Sequence, residues 1–274
     1  MVLCTLDLQS GYWQVQMATK DQEKTAFITS QGLFEFKVMP FGLACAPATF
    51  ERLMERVLKG LQWKTCLVYL DDIIVHGTDV NQAVERLDEV FNRLKSAGLK
   101  LNPKKCQLFQ RKVAYLGHTV SEEGIGTDPS KIDAVTTWPT PKSIKELRSF
   151  LGFCSYYRRF IRGFSTIARP LHILTEKNRL YVWNDNAELA FQELKTILVS
   201  SPILGYPNAD DEFILDTDAS NHGIGGVLSQ KQDGVERVIA YFSRTLNKPE
   251  RQYCVTRKEL LAVVASVKHF HHYL

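Results

Sequence analysis

The stretch that most restricts the fold of this chain is Leu67-Val-Tyr-Leu-Asp-Asp-Ile-Ile-Val-His-Gly77, where two adjacent carboxylates interrupt an apolar run. Its β-branched and aromatic residues predict a strand, an interruption and a second strand over residues 66–75. One interpretation is an ordinary turn that leaves Asp71 and Asp72 in water, because aspartate is common in turns. Against this, the flanks are apolar, and neither glycine nor asparagine supplies the positive φ of a tight hairpin turn.

Two carboxylates held side by side repel each other, so one takes up a proton unless a cation balances the charge. A divalent cation is the natural balance, because Mg²⁺ prefers oxygen ligands from one or two carboxylates together with phosphate oxygens. A further carboxylate is then expected from elsewhere in the chain. Asp7 is the candidate, since it ends a short apolar run and precedes a glycine turn. A helix cap or a turn is the alternative role for Asp7.

The composition of the 274-residue chain, 45% hydrophobic and 23% charged, is typical of a globular protein. Its net charge of +4 permits nucleic-acid binding without arguing for it. The 6 cysteines are scattered and none forms Cys-x-x-Cys, which disfavours a zinc site and a disulfide framework. No apolar stretch reaches the roughly 18 residues of a membrane span, and no secretory signal opens the chain. We therefore expect an intracellular, cytoplasmic protein.

Strand-like runs alternate with helical patterns in the first part of the chain. Residues 33–38 and 112–120 predict a strand and a strand pair. Pro47 opens a helical pattern, and Gly98 is suited to end a second one. The apolar positions of the two helices are Phe50, Leu53, Met54, Val57, Leu58 and Leu61, and Val84, Leu87, Phe91 and Leu94.

The middle of the chain has a different character. Residues 127–143 carry three prolines and predict a linker. Ser143 and Glu146 then form a capping box that opens a helix. The arginines that follow are interleaved with aromatic residues, which fits either a solvated face over an aromatic core or a surface that binds phosphates and stacks on bases. These residues are Arg148, Arg158, Arg159, Arg162 and Arg169, with Tyr156, Tyr157, Phe160 and Phe164.

The last part of the chain predicts strands in hairpin order followed by a helix. The strands are predicted at residues 213–217, 224–228 and 238–242, and Asp233-Gly234 is a strong hairpin signal between the last two. A helix is predicted from Thr256. This order indicates a domain with a mixed sheet.

Three blocks together resemble the palm of reverse transcriptases, most closely those of gypsy-type long-terminal-repeat retrotransposons. They are Leu6-Asp-Leu-Gln-Ser-Gly-Tyr-Trp-Gln14, then Met39-Pro-Phe-Gly-Leu43 with Ala46-Pro-Ala-Thr-Phe50, then Tyr69-Leu-Asp-Asp72. Gly98-Leu-Lys-Leu-Asn-Pro-Lys-Lys-Cys106 and Tyr115-Leu-Gly-His118 are also similar to that family. The resemblance extends over essentially the whole chain.

This resemblance implies roles for individual residues. Asp7 and Asp71 would bind two Mg²⁺ ions, with Asp72 as a supporting ligand, and Mn²⁺ suits the same oxygen ligands. Tyr12 would stack under the incoming sugar and reject a 2′-hydroxyl. The remaining implied positions are the nucleotide and template contacts Gln14, Phe41, Gly42 and Tyr69, and the primer-supporting turn Leu116, Gly117 and His118.

The last part of the chain resembles the ribonuclease H domain of the same polyproteins, through Ile214-Leu-Asp-Thr-Asp-Ala-Ser220, Gly223-Ile-Gly-Gly226 and Arg257-Lys-Glu-Leu-Leu-Ala262. Asp218 and Glu259 match metal ligands of that domain. Asp216 shares a strand face with Asp218 by parity but does not match the motif. A capping box with Thr256 is the alternative role for Glu259. The closing His269-Phe-His-His-Tyr273 indicates a helix end rather than a metal site.

The fold class expected from these patterns is α+β. Residues 1–120 would form a reverse-transcriptase palm, an antiparallel sheet with helices. Residues 121–183 would form a helical thumb or connection, and residues 184–274 a ribonuclease H-like mixed α/β domain. Compared with the family, fingers before Asp7 and a metal-binding aspartate beyond residue 274 are missing, so weak or absent ribonuclease activity is expected.

The function that the resemblance implies is RNA-directed DNA synthesis. The implied partners are an RNA template, a DNA primer, the RNA–DNA hybrid and deoxynucleoside triphosphates, with no membrane partner. The implied cellular setting is a virus-like particle for the full-length polyprotein. Two alternatives are open: a chain whose ribonuclease part is the active one, and a decayed or repurposed element that binds RNA–DNA hybrids without turnover.

Overall fold

The computed structural model describes residues 1–274, and the chain divides into two compact units. The first unit comprises Met1–Leu116 and Val120–Glu122, and the second comprises Gly117–Thr119 and Glu123–Leu274. The segments predicted as thumb or connection and as ribonuclease H-like domain both lie in the second unit, apart from the few residues before Glu123.

The first unit is built on a four-stranded antiparallel sheet with the order β4-β5-β1-β6. A two-stranded hairpin of β2 and β3 stands apart from it. The strands are β1 (Val2–Asp7), β2 (Phe27–Thr29), β3 (Gly32–Phe34), β4 (Cys66–Tyr69), β5 (Asp72–Gly77), β6 (Gln107–Gln110) and β7 (Lys112–Tyr115).

Helices of the first unit close the core over this sheet. They are α1 (Thr19–Gln22), α2 (Ala46–Val57) and α3 (Val80–Ser96), with short 3₁₀ turns at Gly11–Gln14 and Glu23–Thr25. Phe50 and Met54 of α2 and Val90 of α3 are buried in one cluster with Ile73 and Val75 of β5. The apolar faces read from the sequence therefore bury against the strands that carry the aspartates.

The second unit contains the remaining elements. Strands β7, β8 (His118–Ser121) and β9 (Gly124–Thr127) form a small sheet. The helices are α4 (Pro129–Thr136), α5 (Ile144–Tyr156), α6 (Phe164–Ile167), α7 (Arg169–Ile173), α8 (Asp185–Val199), α9 (Lys248–Arg251) and α10 (Val255–Phe270), with a 3₁₀ turn at Arg158–Phe160. The strands are β10 (Phe213–Ala219), β11 (Gly223–Gln232) and β12 (Val235–Thr245).

Strands β10, β11 and β12 form an antiparallel sheet in chain order, so the sheet predicted as mixed contains no parallel pair. Asp233 and Gly234 both have positive φ, 51° and 79°, which confirms the predicted hairpin turn. Helix α10 packs on one face of this sheet, where Phe270 joins a cluster with Phe213 and Leu215.

Most predicted elements occur, and three predictions are wrong in detail. The strand predicted at residues 33–38 ends at Phe34. The predicted linker at residues 127–143 contains α4, because Asp128 caps a helix whose first residue is Pro129. The predicted capping box of Thr256 does not form, because α10 begins one residue earlier and its N-cap position is Cys254.

The arginine-rich segment is an aromatic core with basic residues around it. Tyr157, Phe160 and Phe164 are buried in the large cluster of the second unit. Arg158 donates to the carbonyl oxygen of Ser243, and its guanidinium lies 5.3 Å from the centre of the Phe164 ring. The core interpretation of these aromatic residues is therefore confirmed.

No helix is long and apolar enough to cross a bilayer.

Candidate active site

Strand register brings two of the predicted carboxylates together. Strand β1 pairs antiparallel with β5 from Val2↔Gly77 to Asp7↔Asp72, so Asp7 and Asp72 are direct Cα partners. Direct partners in an antiparallel pair hold their Cβ atoms about 4.5–5.5 Å apart. The register therefore brings Asp7 next to the pair of aspartates that interrupts the apolar run, although the two segments are far apart in the sequence.

Asp71 lies in the turn that joins β4 to β5. Tyr69 and Asp72 are Cα partners, so Leu70 and Asp71 form the turn. Leu70 supplies the positive φ, 51°, that the sequence offers no glycine or asparagine to provide. The Leu70 amide donates a 2.6 Å hydrogen bond to Glu51 Oε2 of α2. This bond anchors a backbone conformation that is unfavourable for leucine.

The surroundings of Asp71 and Asp72 disfavour the ionised form of both carboxyl groups. Burial, together with the negative charges of Asp7 and Asp72, raises the pKa of Asp71 to about 6. Burial and Asp7 also raise the pKa of Asp72. The Lys105 ammonium lies 3.3 Å from Asp7 Oδ2 and acts in the opposite direction on both groups. One exposed lysine thus opposes three carboxylates.

The carboxylates fit a cation by their chemistry. Asp71 Oδ1 is buried and has no hydrogen-bond partner. Because a buried, unpaired carboxylate oxygen is costly, such an atom favours a cation that the protein itself does not provide. The side chains do not already form a cage, since no three His, Cys, Asp or Glu residues in the structure are placed to hold a metal ion together.

A small cavity of about 130 Å³ opens beside this site. Asp7, Asp72 and Lys105 line it, and so do Tyr115 and Leu116. The Tyr115 hydroxyl donates to the carbonyl oxygen of Asp72 over 3.4 Å. The cavity therefore places the carboxylates next to the first residue of the predicted primer-supporting turn.

Aromatic side chains cluster at the predicted nucleotide position. The Tyr12 ring lies 5.2 Å from that of Phe41 and 5.5 Å from that of Phe50. Gly42 has a φ of 93°, which side-chain-bearing residues rarely adopt. Tyr69 is 54% exposed at the end of β4, so its ring is open to a ligand. The structure therefore places Tyr12 and Phe41, two of the predicted nucleotide contacts, against each other.

Gln14, another predicted nucleotide or template contact, connects two loops of the first unit. Its amide nitrogen donates to the carbonyl oxygens of Gln9 and Lys100, over 2.7 and 2.9 Å. Its amide oxygen accepts from the Lys100 backbone N–H over 2.7 Å. The side chain therefore joins the loop after β1 to the loop after α3, and its contribution to the site is to hold those loops.

The predicted primer-supporting turn is held by a tyrosine. Leu116 and Gly117 both have positive φ, 47° and 69°. The buried Tyr157 hydroxyl donates a 2.6 Å hydrogen bond to the Gly117 carbonyl oxygen. His118 contacts the ring of Tyr156, with centroids 5.1 Å apart. The turn is thus fixed by residues of α5 and of the position that follows it.

The predicted ribonuclease carboxylates, Asp218 and Glu259, lie on a strand and on a helix. Asp216 and Asp218 lie on the exposed face of β10 and line a cavity of about 160 Å³ that Arg162 also lines. Glu259 is on α10 and is not among the residues that line this cavity. The alternative role of Glu259, in a capping box, is excluded because no side chain caps the N-terminus of α10.

Three residues at these sites had no assigned role in the sequence reasoning. Glu51 and Tyr157 act through contacts across the fold, with Leu70 and Gly117, which no sequence spacing indicates. Lys105 lies in the Gly98 to Cys106 block that matches the family. Its position opposite Asp7 could have been suspected from that block alone.

Comparison with known families identifies two domain types in the chain. The reverse transcriptase (RNA-dependent DNA polymerase) family matches residues 1–120. The RNase H-like domain found in reverse transcriptase matches residues 183–274. The chain therefore combines a reverse transcriptase domain with a ribonuclease H-like domain, and the resemblance stated from the sequence is confirmed.

Relatives of the chain are transposon polyproteins. It is 42% identical over 272 residues to a retrovirus-related Pol polyprotein from transposon 297 of Drosophila melanogaster, covering 98% of this chain and 25% of that protein. It is 36% identical over 274 residues to the transposon Tf2-3 polyprotein of Schizosaccharomyces pombe, covering 100% of this chain and 21% of that protein. The chain thus spans about a quarter of the length of these relatives.

Solved structures share the fold. A foamy viral protease-reverse transcriptase dRH in complex with double-stranded DNA matches with a TM-score of 0.89 and 25% identity, over 99% of this chain and 48% of that one. A foamy viral protease-reverse transcriptase in complex with RNA/DNA hybrid matches with a TM-score of 0.85 and 25% identity, over 98% of this chain and 36% of that one. These matches confirm the α+β class predicted from the sequence.

Proposed function

We propose that this chain catalyses RNA-directed DNA synthesis, the transfer of a nucleotide onto a primer 3′-hydroxyl, at Asp7, Asp71 and Asp72. The observation that carries the proposal is the β1–β5 register, which sets Asp7 opposite Asp72 and beside the Asp71 turn. Three carboxylates opposed by a single lysine form an acidic site. A negatively charged triphosphate can be accommodated there only when cations are held as well.

The three aspartates would hold the divalent cations, two Mg²⁺ ions in the full proposal, through their carboxylate oxygens. When bound, such ions acidify a hydroxyl group and stabilise charge on phosphoryl oxygens. The protein's own part is to fix the ligands. The Glu51 bond holds the Leu70–Asp71 turn, and the β1–β5 ladder holds Asp7 against Asp72. Most of the catalysis is then positioning and charge stabilisation.

Neighbouring residues would place the substrates. The aromatic cluster of Tyr12 and Phe41 is proposed to receive the sugar of the incoming nucleotide, beside Gly42 and Tyr69. The turn of Leu116, Gly117 and His118 is proposed to support the primer end. The Tyr157 hydrogen bond to Gly117 supports this role, because it fixes the backbone of the turn.

The proposed partners are nucleic acids. The solved relatives were captured with double-stranded DNA and with RNA/DNA hybrid. By analogy, we propose an RNA template, a DNA primer and their hybrid as ligands of this chain, with deoxynucleoside triphosphates as substrates. Analogy of fold alone does not define an activity, so the proposal depends on the carboxylate geometry.

Primer extension on a poly-A RNA template with Mg²⁺ tests the proposal. Asp71→Asn/Asp72→Asn is compared with the unmutated chain and with the matched control Asp216→Asn/Asp218→Asn, which removes the same charge from the second unit. We expect extension by the unmutated chain and the control, and none by Asp71→Asn/Asp72→Asn.

Two outcomes would contradict the proposal. Equal extension by all three proteins would show that the activity does not depend on Asp71 and Asp72. Salt-sensitive binding of RNA–DNA hybrid without extension by any of them would identify a protein that only binds.

A further inference from the structure

Gly11 occupies a position where its backbone does not require glycine. It begins the 3₁₀ turn Gly11–Gln14 and is buried. It is not among the glycines with positive φ, whereas its neighbour Ser10 has a φ of 52°. A backbone in the ordinary helical region normally favours alanine over glycine, because alanine loses less conformational freedom. The reason for glycine must therefore lie in its surroundings.

Those surroundings are the Asp71 carboxylate. A Cβ atom built on Gly11 would lie 2.0 Å from Asp71 Oδ1 and 2.7 Å from Asp71 Cγ. It would also lie 2.9 Å from Phe50 Cζ. All three separations are shorter than carbon and oxygen atoms tolerate without bonding, so alanine at this position would force one of the groups to move.

The neighbouring groups have little freedom to move. Phe50 is fully buried in α2 and packs edge-on against the ring of Tyr12. The Asp71 turn is anchored through the Leu70–Glu51 hydrogen bond. Asp71 Oδ1 is the buried oxygen that has no hydrogen-bond partner. This oxygen thus lies directly against the Gly11 backbone, held by close packing and by no donor.

We infer that Gly11 is a positioning residue for Asp71: the space left by its missing side chain is the seat that fixes where the Asp71 carboxylate points. The inference deepens the proposed function, because a fixed carboxylate is what a cation at this site requires. Its steric part is independent of catalysis and can be measured without metal, nucleotide or template.

A double-mutant cycle of thermal stability in EDTA tests the steric part. Gly11→Ala is expected to lower the melting temperature in the unmutated background. In the Asp71→Ala background the same change is expected to cost less, because Oδ1 and Cγ are gone and only the Phe50 contact remains. The matched control is Gly152→Ala on the exposed face of α5, where an added Cβ meets nothing within 4 Å. It should leave the melting temperature unchanged or raise it in both backgrounds.

Binding of Mn²⁺ alone, followed by electron paramagnetic resonance, tests the positioning part. Gly11→Ala is expected to weaken Mn²⁺ binding roughly 10–100-fold, the range found when groups that orient a metal ligand are removed. Gly152→Ala should bind as the unmutated chain does. If Gly11→Ala alone fails to fold while Gly11→Ala/Asp71→Ala folds, the steric seat is supported directly.

The inference is overturned if Gly11→Ala has the same effect on stability in both backgrounds, or if the stability effects are coupled but Mn²⁺ affinity is unchanged. Failure of the proposed function gives a different result. In that case the unmutated chain itself would bind no Mn²⁺ and extend no primer, and the stability cycle alone would decide whether Gly11 seats Asp71.

Discussion

The two groups of carboxylates in this chain are held in opposite ways. Asp7, Asp71 and Asp72 meet through the β1–β5 register and the β4–β5 turn, and burial together with the charges of Asp7 and Asp72 raises the pKa of Asp71 to about 6. Asp218 lies on an exposed strand face, while Glu259 lies on α10 outside the cavity that Asp218 lines. The first group is crowded and partly buried, and the second is divided between an exposed strand face and a helix.

The difference indicates which of the two groups binds a ligand. Crowding like charges costs stability, so a protein tolerates it where a ligand relieves the repulsion. The first group also has supporting contacts, from Glu51 to the turn and from Lys105 to Asp7. We therefore expect the chemistry of this chain to depend on the first group and to be insensitive to the second.

The largest expected contrast is between two activities. Primer extension should depend on Asp71, whereas cleavage of an RNA–DNA hybrid should be weak or absent, because Asp218 is exposed on β10 and Glu259 does not line the cavity that Asp218 lines. The measurement is cleavage of a labelled hybrid by the unmutated chain and by Asp218→Ala, at the same Mg²⁺ concentration. Measurable cleavage that Asp218→Ala abolishes would break the comparison.

Divalent cations should stabilise the first unit through the first group only. A ligand at about 100 times its Kd adds about 2.7 kcal/mol to the free energy of unfolding. We expect Mg²⁺ or Mn²⁺ to raise the melting temperature by a few degrees, and Asp71→Asn to remove most of that rise. The matched control Asp218→Asn should keep it. A rise that survives Asp71→Asn would place the cation elsewhere.

The contribution of the Glu51 hydrogen bond to the geometry of the Asp71 turn should be measurable by mutating Glu51. Glu51→Gln weakens the charged acceptor of the Leu70 N–H, a kind of hydrogen bond that contributes about 1.5–3 kcal/mol. If half of that is felt in the transition state, extension should fall roughly tenfold. Glu55→Gln, one turn later on α2 and exposed, is the control. Equal loss in both variants would mean that charge on α2, and not the hydrogen bond, matters.

The sequence predicted the elements of the first group well, for physical reasons. Apolar runs rich in β-branched and aromatic residues indicated β4 and β5, and an apolar helical face indicated α2. The pairing of β1 with β5 could not be read from spacing, because it joins segments far apart in the chain. Asp7 was a candidate because it ends a short apolar run and precedes a glycine turn, and the resemblance to a family then implied its role as a metal ligand.

Other features escaped prediction because they depend on tertiary contacts. Leu70 adopts positive φ with its amide bound to Glu51, so the absence of glycine did not exclude a tight turn. The start of α10 moved to Val255, and the predicted cap of Thr256 failed with it. The first residue of a helix depends on which of its turns is packed against the core, and a local sequence signal does not determine that packing.

The smallest expected effect is on the pH dependence of stability in the absence of metal. The pKa of Asp71 is raised from 3.8 to about 6, so between these values the folded chain binds more protons than the unfolded chain. The contribution of Asp71 to the free energy of unfolding is therefore most favourable at low pH, falls as the pH rises toward about 6, and stays reduced above that pH. Asp71→Asn cannot ionise and should lack this fall. The measurement is the urea midpoint of both proteins in EDTA at several pH values across this window. Parallel curves for the two proteins would show that ionising Asp71 costs the folded chain no stability. The contrast between the two groups of carboxylates would then lose its electrostatic basis.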